Sequence, residues 1–128
     1  MSASTNEAII RDFCAAIERR DIDELLGYFA DDAVYHNIPF PPAQGHDAIR
    51  ATFETYVPGS PAIEFEMVNL AVAGDVVFTE RLDRMTFAGK DVELPVAGVF
   101  ELRDGKISAW RDYFDLAQFT KQLPGAPS

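Results

Sequence analysis

Apolar residues recur at helical spacing near the N-terminus and at strand spacing beyond residue 62. Ile9, Ile10, Phe13, Cys14 and Ile17 mark one face of a first helix. Ser4 and Glu7 fit the S-x-x-E capping box and predict its start at about residue 5. Ile22, Leu25, Leu26 and Phe29 predict a second, short helix that "ADDA" ends. "AVYHN" reads as a short strand running into "IPFPPAQG", whose three prolines and one glycine make a fixed loop. "HDAIRATFETY" predicts a third helix with Ile49, Phe53 and Tyr56 as its apolar side.

The period then changes to two. In "IEFEMVNLAV" the apolar residues stand at 63, 65 and 67, then at 68, 70 and 72, which predicts a bulge or bend. "AGD" and "AGKD" read as turns around the strand "VVFTERLDRMTF". In "VELPVAGVFEL", Val92, Leu94, Val96, Gly98, Phe100 and Leu102 share one face, and Pro95 predicts an edge or a bulge. "RDGK" predicts a tight hairpin turn, "ISAWRDYF" the last strand, "DLAQFTKQL" a short C-terminal helix and "PGAPS" a frayed tail. Helices followed by hairpin-connected strands make an α+β fold. A long, bent antiparallel sheet with helices on one face is expected to close as a cone around space for a small ligand.

A chain of 128 residues suits one domain, spanning 1–128. The net charge of -10 argues against nucleic acid and against an anionic membrane surface, but not against a neutral, apolar ligand. Cys14 is the only cysteine, so no intramolecular disulfide forms, and its place in the helical stripe makes it a small buried hydrophobe. The N-terminal residues lack a basic and then apolar leader pattern, and no apolar run has the length of a membrane span; a cytoplasmic protein is expected. His36 and His46 have no further ligands at metal spacing, so no metal site is expected.

Several polar residues fall on strands where period-two geometry pairs them. Tyr35 and Asn37 face the same way, as do Arg81 and Asp83, and Trp110, Asp112 and Phe114. A carboxylate among aromatics costs free energy unless something pairs with it or uses it. Each pairing has a bland reading. Asp112 could bridge to a structural arginine, Arg81 and Asp83 could be a solvated pair, and Tyr35 and Asn37 could satisfy backbone groups beside the proline loop. The inward face of the Arg81 strand is not settled by its own pattern.

Taken together, "AVYHNIPFPPAQGHDAI", "VVFTERLDRM" and "GVFELRDGKISAWRDYFDLAQF" resemble the limonene-1,2-epoxide hydrolase family, within the NTF2-like (SnoaL-like) group of cone folds. The resemblance covers nearly the whole chain. It implies a strongly curved mixed sheet with three N-terminal helices packed on it. It also implies a cofactor-independent hydrolase and a homodimer. Residue by residue, it assigns Tyr35 and Asn37 to holding the nucleophilic water. Arg81 becomes the bridge between two carboxylates, Asp83 the acid toward the epoxide oxygen and Asp112 the base on water. It assigns Met85, Leu94, Val96, Phe114 and Phe119 to an apolar pocket wall. His36, Gln44 and the stretch 57–67 depart from the pattern and leave the substrate open.

The chemistry agrees with the residue types. Opening an epoxide to a vicinal diol needs a base on water and an acid on the ring oxygen. Two carboxyl groups serve if one is ionised and one protonated, and an arginine between them holds both without itself losing a proton. No metal, flavin or nicotinamide is needed. Two rival readings remain. One is a ketosteroid isomerase-like or SnoaL-like cyclase activity on the same fold, although the first helix offers Phe13 where that isomerase places a tyrosine. The other is a non-catalytic binding or assembly module.

Overall fold

The computed structural model describes residues 2–125. Helix α1 spans Ala3–Ala16 and runs into a 3-10 turn at Ile17–Arg19; α2 spans Ile22–Leu26 and α3 His46–Glu54. The strands are β1 (Phe29–Asn37), β2 (Ala43–Gln44), β3 (Glu64–Ala73), β4 (Val76–Phe87), β5 (Lys90–Arg103) and β6 (Lys106–Tyr113). Helix α4, Leu116–Thr120, follows the last strand. The sheet order is β2-β1-β6-β5-β4-β3, with β1 and β6 parallel and every other neighbour antiparallel. The expected α+β fold, a curled mixed sheet with helices against it, is what forms.

The local reasons are readable. β5 buries Val92, Leu94, Val96, Gly98, Phe100 and Leu102 on one side, the alternation of a half-buried strand. The pairing of β3 with β4 shifts register between Met67 and Asn69, the bulge predicted by the phase change. Pro95 lies where β5 runs past the end of its pairing with β6, which begins at Ala97. Two residues before it, the Glu93 N–H donates to Gln122 on the open side, so the nitrogen of Pro95 faces that unpaired edge. Asp104 and Gly105 both have positive φ (52° and 77°), the twist a two-residue hairpin requires.

The helix boundaries differ from the expectation, α4 among them, which ends at Thr120 rather than Leu123. α1 starts earlier, because Ser2, not Ser4, accepts the Thr5 N–H. α2 ends at Leu26, and Phe29 opens β1, which also takes in "ADDA". Phe29 is core in either assignment, so its apolar character did not decide between helix and strand. α3 ends at Glu54, leaving Tyr56 in the turn that follows. Of the frayed tail, residues 126–128 lie outside the described residues.

The core lies between the helices and the concave side of the sheet. Trp110 is its centre: Tyr35 stacks on it at 4.0 Å, Phe100 at 5.2 Å, and Phe13 of α1 meets it edge-on at 5.1 Å. That grip fixes where the indole N–H points. Cys14 is buried in this core, where burial pushes its thiol up to about 12, so it is inert packing.

Candidate active site

Alternation in β4 turns Val77, Thr79, Arg81 and Asp83 inward and settles the face that the pattern left open. Arg81 has almost no exposed surface, yet all five of its guanidinium N–H groups point toward oxygen atoms or their neighbours. Nε and Nη2 donate to the two oxygens of Asp83 at 3.0 and 2.8 Å. Nη1 and Nη2 donate to the two oxygens of Asp112 at 3.2 and 2.8 Å. Nη1 also donates to Thr79 Oγ1 at 3.1 Å, and that hydroxyl donates to the Gly98 carbonyl. The ring of Phe65 lies 4.7 Å from the guanidinium carbon. The two forks hold two carboxylates in fixed orientation.

The two carboxyls are not equivalent. Asp112 also accepts the indole N–H of Trp110, at 2.6 Å, giving it three N–H donors against two for Asp83. Asp83 is raised to about 6 from an ordinary 3.8, first by burial and further by the charge of Asp112, with Arg81 opposing. Asp83 is thus the carboxyl poised to take up a proton, at about pH 6, while Asp112 holds the larger set of N–H donors.

Gly98 makes this packing possible. It faces the trio from β5, opposite Thr79 and Asp112 in register. A Cβ there would collide with Arg81 Nη1 and stand 2.7 Å from Asp112 Oδ1. A glycine on the inward face of an alternating strand signals such a close approach.

A cavity of about 320 Å³ opens in front of the two carboxyls. Tyr35, Asn37, Asp83 and Asp112 line it, as do Met85, Leu94, Val96, Phe114 and Phe119. Arg81 stands behind the carboxyls, not in the wall. Tyr35 faces inward, and burial, then the charge of Asp112, raises its phenol well above the usual range, so it serves as a neutral hydroxyl. The sequence reading did not single out Tyr56, Phe65, Phe87, Phe40 or Thr52 as wall residues. Tyr56 read as helix core, and no period in a short stretch distinguishes core from wall.

The other candidates fall elsewhere. His36 turns away and ties Nε2 to the Phe40 carbonyl (2.9 Å), stapling the proline loop; His46 bonds the Phe29 carbonyl. Arg111 turns out to Glu101. Among the described residues no group of three or more His, Cys, Asp or Glu is placed to hold a metal ion, and no helix is long and apolar enough to cross a membrane. A wider depression of about 680 Å³ is lined by Glu18, Arg20, Glu64, Arg84 and Glu93; Arg84 pairs there with Glu64 and Glu93, and of the candidate residues the depression touches only Met85.

Comparison with known proteins agrees with this geometry. Residues 4–125 match the model of the limonene-1,2-epoxide hydrolase catalytic domain. The chain is 35% identical over 111 residues to the epoxide hydrolase EphG of Mycobacterium tuberculosis, covering 87% of this chain and 74% of that protein. The solved structure of an M. tuberculosis LEH-like epoxide hydrolase superposes with a TM-score of 0.78 at 29% identity, over 94% of this chain and 90% of the other. A putative polyketide cyclase from Xanthomonas campestris superposes with a TM-score of 0.84 at 19% identity, over 94% and 97% of the two chains, which speaks for the fold alone. The fold is that of the NTF2-like proteins, and the chain belongs to the limonene-1,2-epoxide hydrolase family of enzymes.

Proposed function

We propose that the chain adds water to an apolar epoxide in one acid–base step and releases a vicinal diol. Asp112 takes a proton from water as the water oxygen bonds to an epoxide carbon. The C–O bond on that carbon breaks, and the ring oxygen takes the proton of Asp83. Arg81 holds both carboxyls at fixed separation and keeps its own protons throughout. Tyr35 and Asn37 hold the water so that a lone pair aims at carbon. Met85, Leu94, Val96, Phe114 and Phe119 bind the apolar body. The observation that carries this reading is one arginine gripping two buried carboxyls beside an otherwise apolar cavity. At about 320 Å³ that cavity is at the small end of ligand pockets, roughly 300–1,000 Å³, and suits a small or medium epoxide. A homodimer is supported by exposed apolar residues on the outer side of the sheet, among them Phe78 and Val68.

The test is a panel of apolar epoxides incubated in oxygen-18 water. Diol labelled within the first turnover is expected from the wild-type protein, and Asp112→Asn should lose turnover while keeping its fold. Label that enters only after the first turnover would mean a covalent ester on the protein, and water attack would be wrong. Ring closure of an epoxide by an internal hydroxyl, without label, would favour the cyclase reading.

A further inference from the structure

Two phenols meet in the cavity wall. The hydroxyl oxygens of Tyr35 and Tyr56 are 3.2 Å apart, and both residues are buried and line the cavity. At this spacing one hydroxyl donates and the other accepts. The direction decides what Tyr35 offers to the site. If Tyr35 donated to Tyr56, only lone pairs of Tyr35 would face the cavity. If Tyr56 donates, the Tyr35 O–H is free to point inward.

The charge in the site selects between them. Tyr35 stands on β1 in register with Trp110 and stacks at 4.0 Å on the indole that bonds Asp112. It is two residues from Asn37, the register partner of Asp112, whereas Tyr56 lies in the turn after α3. Tyr35 is the phenol that feels the carboxylate first. O–H dipoles turn their hydrogen ends toward a carboxylate, and in a dry site little screens that preference. The chain of donors then runs from Tyr56 to Tyr35 to the cavity side of Asp112. We infer that Tyr56 is a positioning residue: its hydroxyl donates to Tyr35 and so turns the Tyr35 O–H toward the attacking water. The inference rests on the hydrolytic reading above and completes its accounting. Water has four directions to fill. One hydrogen goes to Asp112 and one to the Asn37 carbonyl oxygen. One lone pair accepts from Tyr35, and the last is left for carbon.

The backbone around Tyr56 is anchored as a positioning group requires. Its carbonyl lies 3.0 Å from the hydroxyl of Ser60, a fully buried residue. The same hydroxyl also meets the Thr86 carbonyl and accepts the Thr86 N–H at 3.1 Å. Arg20 Nη1 holds the Ser60 carbonyl at 2.9 Å. The turn after α3 is thereby tied to β4, the strand that carries Arg81 and Asp83.

Tyr56→Phe removes one oxygen and keeps the ring. On an epoxide that the wild type turns over, kcat should fall about three- to tenfold, the worth of one hydrogen bond, with KM little changed. In a Tyr35→Phe background, the same substitution should change kcat by less than about twofold, because its effect runs through Tyr35. Wild-type kcat in Tyr56→Phe, or an equal loss in both backgrounds, would overturn the inference. A readout independent of turnover separates it from the hydrolytic reading. In proton NMR, a slowly exchanging hydroxyl signal should vanish in Tyr56→Phe and exchange rapidly in Tyr35→Phe. If the protected proton belongs to Tyr35, or none is protected, the inference fails even where epoxides are hydrolysed. If the signal is as expected and no epoxide is hydrolysed, the arrangement of hydroxyls stands and the hydrolytic reading is the one that fails.

Discussion

Arg81 and Arg84 sit three residues apart on β4 and face opposite sides of the sheet. Each is surrounded by carboxylates. Arg84 meets Glu64, Glu66 and Glu93 at 2.8, 2.8 and 2.9 Å. Arg81 meets Asp83 and Asp112, both at 2.8 Å. The distances are nearly the same, and the consequences are not. The outer network lies in water, with its side chains between a third and somewhat over half exposed. There the attraction is screened by solvent and salt. The inner network is at most 5% exposed. There the charges have no water to lean on, one arginine faces two acids, and burial with the neighbouring charge of Asp112 raises Asp83 to about 6. In the proposed mechanism, a salt bridge becomes acid–base machinery through where the strand turns it.

The largest break in this comparison is Arg81→Met. It leaves two buried carboxyls without a cation, and a buried pair broken from one side costs about 3–5 kcal/mol. Urea unfolding at neutral pH should show that loss, and epoxide turnover should be abolished. The deficit should shrink in acid, where the carboxyls can take up protons. A deficit that is the same at all pH values would mean that Arg81 matters as packing rather than as charge.

Asp83 sharpens the contrast next. Its carboxyl titrates at about 6 in the folded chain against an ordinary 3.8, so the folded state holds its proton longer than the unfolded state does. Its contribution to stability is therefore present below about 3.8 and is lost as pH rises through about 6. In the proposed mechanism the same proton is the one delivered to the epoxide oxygen. kcat/KM, which reports the free enzyme, should fall about tenfold per pH unit above about 6. Asp83→Asn should remove turnover and that pH-dependent part of the stability together. A flat kcat/KM from pH 6 to 8 would exclude Asp83 as the acid.

The two networks also differ in how far the sequence exposes them. Strand alternation put Arg81 with Asp83 and Trp110 with Asp112, and family resemblance proposed roles for Arg81, Asp83 and Asp112; the structure brings all four residues to one place. What could not be read was depth. Nothing within β4 says which face is the dry one, because Thr79, Arg81 and Asp83 are as polar as Glu80, Leu82 and Arg84 together. The register with β5 decides it, setting Thr79, Arg81 and Asp83 opposite Gly98, Val96 and Leu94 of the buried stripe, and the parallel pairing of β1 with β6 then joins Tyr35 to Trp110 and Asn37 to Asp112 across more than seventy residues of chain. Local pattern suggested antiparallel hairpins and carries no sign of that pairing. Gly98 did carry a sign, as a glycine at an inward position of an otherwise large-residue stripe. Tyr56 carried none, since an aromatic at helical spacing looks the same whether its hydroxyl meets solvent, core or another phenol.

The smallest effect belongs to Arg84→Met, and it tests the comparison from its other side. If exposure is what makes the outer network inert, removing its arginine should leave kcat and the pH profile unchanged. The stability change should be slight and should fade as salt is added, because added ions already do to this network what the substitution does. The three glutamates left behind repel one another in water at little cost, whereas Asp83 and Asp112 left behind by Arg81→Met have nowhere to send their charge. Equal damage from the two substitutions would mean that the number of carboxylates, not their burial, governs both arginines. The upward shift of Asp83 would then need a cause other than the dryness of its side of the sheet.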